Sequence, residues 1–199
     1  MRRVSFLGED EGHRAFLVPL LRCVAAQYGI DVEVREYSIR GGFGEVENEL
    51  EQYVRDLVKF KEGLPDLVVV ATDANCCGFA RRRKKLERIV EPVKDRIAFA
   101  VPDPHIERWM LLDPSAFKAA LGSPCKIPDQ KCDRDRYKQL LLQAVQETGV
   151  TPLLGGIEHA EDIVRNMDLA PTSRGDDFGK FLQDIHACFR RWRADVGTA

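Results

Sequence analysis

The 199-residue chain carries 30 Lys plus Arg against 32 Asp plus Glu, a formal charge of −2, with 44% hydrophobic and 31% charged residues. That composition excludes a disordered or fibrous chain, and the near-neutral balance means that any nucleic-acid surface has to be local. No apolar run is long enough to span a bilayer, and acidic residues follow Leu7 too early for a signal peptide, so no membrane partner and a cytoplasmic location are expected.

In chain order, RVSFLG at 3–8 reads as a strand. Residues 11–28 follow as a helix with Leu17, Leu20, Leu21, Val24 and Tyr28 on one face, closed by Gly29. DVEVREYSI at 31–39 alternates with the period of a half-buried strand near a sheet edge, and GGFG at 41–44 is a loop. A second helix is expected at about 45–62, ending at Gly63. LVVVA at 67–71 is apolar on both faces and β-branched, as a central parallel strand requires. A third helix at about 78–94 turns Leu86, Ile89 and Val90 inward and RRRKK outward, and RIAFAV at 96–101 is a fourth strand that stops at PDPH.

Strand signals then cease. HIERWMLLD reads as a short helix with Trp109 packed under the sheet, and Asp113 and Pro114 start a helix that Gly122 ends. Further helices are expected at about 133–148, 157–167 and 176–194, with loops at 123–131 and 169–177. The fold class is therefore α/β: an open, mostly parallel four-stranded sheet with flanking helices over 1–112, and a helical extension over 113–199 packed on it. Strand order cannot be read from the pattern.

Active groups of open parallel sheets gather at the carboxyl ends of the strands. Here the first strand ends at Glu9-Asp10-Glu11, the third at Asp73-Ala74-Asn75, and the fourth at Asp103 with Glu107 a turn later. Asp10 is the cap-like member of its trio, Glu11 a neighbour favoured by the helix dipole, and Glu9 the ligand-like one. Converging carboxylates either raise a pKa or recruit a cation, and hard oxygen donors suit Mg²⁺ or Mn²⁺. Asp73 and Asn75 are also ordinary turn residues, and Glu107 beside Arg108 is also an ordinary salt-bridging pair. His13 lies one turn into the first helix, within range of the same edge, whereas His105, His159 and His186 share no spacing and read as structural. Arg81, Arg82, Arg83, Lys84 and Lys85 begin close enough to Asp73 to contact phosphates, or are a solvated helix face. Trp192, within FRRWR, is either a stacking residue or core. The six cysteines lack metal-ligand spacing and are expected to be reduced, and no GxxxxGK loop follows the first strand, which counts against a P-loop nucleotide-binding enzyme.

A strand followed by G-E-D-E, a strand followed by D-A-N, and a strand followed by P-D-P-H-I-E-R-W together resemble the Toprim fold, especially the small stand-alone Toprim-like proteins of bacterial defence and mobile-element loci. The likeness covers about residues 3–112. It implies a divalent-metal-dependent nuclease acting on DNA or RNA in an anti-phage system beside an ATPase partner, with self-association left open. By the same resemblance Glu9, Asp73 and Asn75 would hold Mg²⁺ or Mn²⁺, and Glu9, Asp73 and Glu107 would be catalytic. Asn75 stands where the family pattern has a second aspartate, so a non-catalytic Toprim-like assembly module that binds an ATPase or nucleic acid is the alternative.

Overall fold

The computed structural model describes residues 1–39, 43–59, 64–133, 135–170 and 176–197. Four strands form its sheet: β1 (Arg2–Gly8), β2 (Val32–Ser38), β3 (Leu67–Ala71) and β4 (Ile97–Ala100). All pairings are parallel and the order is β2-β1-β3-β4. The alternating segment sits at an edge and LVVVA is interior, as their patterns require.

Side chains alternate across this sheet and divide the core in two. Phe6, Val69 and Ala98 face a layer made with helix α1 (Glu11–Gln27) and the helices of the second half, α4 (Ile106–Met110), α5 (Pro114–Leu121), α6 (Arg136–Glu147), α7 (Ala160–Asn166) and α8 (Asp177–Gly197). Leu7, Val68, Val70 and Phe99 face the opposite layer, α2 (Phe43–Lys59) and α3 (Phe79–Val90). Phe16, Trp109, Phe178 and Phe181 lie together in the first layer, so residues from both halves of the sequence form one continuous core. Trp192 belongs to it too, with the Arg2 guanidinium 5.4 Å above its ring.

Three segments differ from expectation. The third helix stops at Val90 and continues as a 3₁₀ turn over Glu91–Arg96, because Pro92 cannot supply the amide hydrogen that an α-helix needs there. The helix expected at 157–167 opens as a 3₁₀ turn, Ile157–His159, before α7. The second helix starts at Phe43, so Phe43 and Gly44 of the expected GGFG loop are already helical, whereas Gly41, Gly42 and the helix stop at Gly63 lie outside the described residues.

One buried carboxylate fastens α8 to the sheet edge. Asp177 accepts from Trp109 Nε1 (2.7 Å), the Asp103 amide (2.7 Å) and Arg108 (3.3 Å). Asp177→Ala would strand the buried Arg108 charge and is expected to cost about 3–5 kcal/mol, measured by urea unfolding. Asp177→Asn should cost less, because it keeps an acceptor for the Trp109 indole.

Candidate functional site

The register places the ends of β1, β3 and β4 side by side, with Gly8 opposite Ala71 and Ala71 opposite Ala100. Asp10 then caps α1, its Oδ1 accepting from the His13 amide at 3.0 Å, which is the cap expected from the sequence. Gly12 allows α1 to come close to α4: a Cβ there would sit 3.1 Å from Ile106 Cγ2 and 3.3 Å from Asp10 Oδ1.

His13 is fully buried. Its Nδ1–H donates to Asp10 Oδ1 at 2.8 Å, and its Nε2 lies 3.2 Å from Asp73 Oδ1, close enough to pair charges though not aligned as a hydrogen bond. Burial alone would lower its pKa, but the Asp73 charge and the Asp10 contact outweigh burial and push it up to about 10. The imidazole is therefore a buried cation between two carboxylates. Asp73 gains in return: burial works against its charge, while the charges and hydrogen bonds of His13 and His105 hold its carboxyl below the usual range. Asp73 Oδ2 accepts from His105 Nδ1 at 3.0 Å, and Oδ1 accepts from the Ile106 amide at 3.0 Å.

Glu9 is tied to the same turn from the other side. Its Oε2 accepts from the Thr72 hydroxyl and from the Asp73 amide at 3.1 Å, so it fixes the backbone that carries Asp73. Glu107 is 2% exposed, and its Oε2 has no hydrogen-bond donor among the described residues. Burial first, then the charges of Asp73 and Asp10, push its carboxyl upward. Asp10 and Glu107 line a pocket of about 320 Å³ together with Lys138, Leu142, Leu154 and Ile157.

The strand ends thus bring together Asp10, Asp73 and Glu107, with Glu9 bonded to the Asp73 backbone. Asn75 is exposed, in a turn where it and Cys76 have φ of 46° and 64°. Asp103 serves α3 instead, its Oδ2 accepting from the Phe79 amide at 3.1 Å. His105 and His13, set aside or only loosely placed on sequence grounds, are the direct partners of Asp73. Signals for both exist: His13 is three residues after a capping Asp, and His105 ends the PDPH stretch that follows β4.

No family model, curated protein or solved structure matches this chain.

The basic run is not a uniform outward face. Arg82 is buried and donates to the Ala74 carbonyl at 3.2 Å, so it braces the turn after Asp73. Arg83 pairs with Glu87 (2.9 Å) and Asp184 (3.2 Å) and lies over the Phe79 and Phe99 rings. Arg81, Lys84 and Lys85 are exposed. The helix face that packs on the sheet passes through the middle of the run, and long Arg stems bury readily while their heads find acceptors. His186, by contrast, is structural as expected, bonded to Tyr28 and to the Leu169 carbonyl at 2.7 Å each.

The expectation of reduced cysteines is corrected at one pair. Cys76 and Cys132 form a disulfide across 56 residues, because the turn after β3 and the segment before α6 bring their Cα atoms to 5.3 Å. Cys23, Cys77, Cys125 and Cys188 are free thiols.

Proposed function

We propose that the chain is a phosphodiester-cleaving enzyme of the Toprim-like kind, acting with a divalent cation at the carboxylate edge. The observation that carries this is Glu107: a buried carboxylate oxygen with no donor among the described residues, within the field of the Asp73 and Asp10 charges, beyond the ends of adjacent parallel strands. Such an oxygen is costly unless it meets a cation or a proton.

Among the described residues no three His, Cys, Asp or Glu side chains form a ready-made cage, and both Asp73 oxygens already accept hydrogen bonds. Mg²⁺ needs no such cage: it binds through one or two carboxylates and keeps its remaining positions for water and phosphate oxygens. The donors fit on that basis, with Glu107 and Asp10, which share one pocket, as the groups that would hold the ion. When bound, the ion would polarise the scissile phosphate and offset the charge on the leaving oxygen.

The chain's own residues have definite parts around it. Asp73, kept ionised by His13, fixes the His105 ring through Nδ1 and leaves Nε2 as the atom that can donate to a phosphate oxygen. Lys138, on the pocket wall, adds a cation for the phosphate backbone, and the exposed Arg81, Lys84 and Lys85 extend that field. Glu9 holds the Asp73 turn in place. A role in bacterial defence beside an ATPase follows from the family resemblance.

The test is cleavage of supercoiled DNA, single-stranded DNA and RNA with Mg²⁺ or Mn²⁺, alone and with the product of its genomic neighbour. Asp73→Asn and Glu107→Gln should each lower the rate about 100-fold or more. Unchanged rates in both variants would remove the site from the chemistry.

The non-catalytic assembly module has one observation in its favour. Both Asp73 oxygens already accept hydrogen bonds, as in a network that serves structure alone. For that alternative, no substrate is cut with any partner, and Asp73→Asn alters stability only.

A further inference from the structure

The segment 123–133 has no regular secondary structure and buries only Cys125. Among the described residues its polar ties to the rest of the molecule are hydrogen bonds and an ion pair between Asp129 and Arg136 of α6, whose amide also donates to the Asp133 carbonyl at 3.4 Å. Cys125 donates weakly to the Leu111 carbonyl at 3.6 Å, and Gln130 donates to the Asp103 carbonyl at 3.4 Å. The Tyr137 hydroxyl accepts from the Lys131 amide at 2.8 Å, and its own proton reaches the Asp129 or Lys131 carbonyl, each at 2.8 Å. The covalent tie is Cys76–Cys132, and both of those residues are exposed.

The two ends of that bond flank the Asp73 network. Cys76 is three residues beyond Asp73 in the turn that Arg82 braces. Cys132 is five residues before Tyr137, whose buried ring lies 6.4 Å from the ring of His105. A bond that joins the Asp73 turn to the Tyr137 segment therefore fixes both sides of the Asp73–His105 pair. Core-stapling disulfides are shielded from attack, whereas exposed ones are the labile and regulatory class.

We propose that Cys76–Cys132 is a thiol–disulfide exchange site through which a dithiol reductant releases segment 123–133 from the strand-end turn. In the first step a reductant thiolate attacks one sulfur of this bond between exposed residues and forms a mixed disulfide. The Cys76–Cys132 bond breaks, and the departing cysteine thiolate takes a proton. The second thiol of the reductant then attacks the mixed disulfide, closing the reductant's own disulfide and freeing the other cysteine. Two electrons pass from the dithiol to the protein, which gains two thiols. With the tie gone, 123–133 is held by hydrogen bonds and the exposed Asp129–Arg136 pair and opens locally more often, while the sheet keeps its packing.

The full-length protein, purified without reductant, tests this independently of any cleavage activity. Denatured and titrated with a thiol reagent, it should show four thiols, matching Cys23, Cys77, Cys125 and Cys188, and six after treatment of the native protein with dithiothreitol. Reduction of the native protein should speed amide exchange about tenfold or more in peptides covering 123–133 and 73–78, with β1 and β3 unchanged. Cys76→Ser and Cys132→Ser should each show the fast exchange without reductant and no further response to it, while Cys23→Ser should respond like wild type. Six thiols before reduction, resistance of the bond until the protein unfolds, or unchanged exchange in 123–133 on reduction would each overturn the proposal.

Discussion

Replacing His13 with leucine is expected to lower the unfolding free energy by about 3–5 kcal/mol, because it leaves the buried Asp73 carboxylate without its cation. In a chain of this size that is a fall of roughly 10 °C in Tm, measured by calorimetry on metal-free protein. The leucine is close to the imidazole in volume, so the loss reports charge rather than a cavity. The pH profile carries a second signature. His13 binds its proton far more tightly in the folded protein, with a pKa of about 10 against an unfolded value of 6.5. Its stabilisation is therefore fully present below about pH 6.5 and fades as the pH rises toward 10. At the acid end, Asp10 and Asp73 have folded values held down by the same contacts, so their share is present above the unfolded value of 3.8 and is lost as the pH falls below it. These are two ends of one ion-pair network and should not be summed. In His13→Leu the decline between pH 6.5 and 10 should disappear.

Glu107→Gln should have the opposite effect on stability and should lower the proposed cleavage activity. The wild-type carboxylate is almost fully buried, one of its oxygens has no donor among the described residues, and the Asp73 and Asp10 charges oppose its ionisation. Exchanging it for a neutral amide of equal shape removes that repulsion and supplies an N–H toward the neighbouring carboxylates. A gain of about 1–2 kcal/mol in unfolding free energy is expected at neutral pH without divalent ions. Gln is a far weaker ligand for a hard cation, so the stabilised variant should be the inactive one. A glutamate whose neutralisation stabilises the fold is retained for chemistry; one whose neutralisation destabilises it belongs to the scaffold.

Much of the architecture was legible because burial imposes distinct patterns on each element. LVVVA could only be satisfied with helices on both faces, and DVEVREYSI only at an edge. The acids at the strand ends were readable for the same reason, since parallel strands place their carboxyl ends on one side. Which acid meets which histidine was not readable. The Asp73–His105 and Asp73–His13 contacts span 32 and 60 residues, and they depend on β3 lying between β1 and β4, which no periodicity encodes. Arg82 looked solvent-facing because its charge dominates its composition class, but its position on α3 aims the stem at the Ala74 carbonyl. Cys76 and Cys132 follow no spacing rule, and only the fold brings them together.

Mn²⁺ titration of the metal-free chain, followed by calorimetry and by electron paramagnetic resonance of the unbound ion, decides whether the strand-end cluster is the cation site proposed above. Wild type should bind one ion per chain in competition with Mg²⁺, and Glu107→Gln should bind it at least about tenfold more weakly. No binding by wild type, or equal binding by the variant, would contradict it.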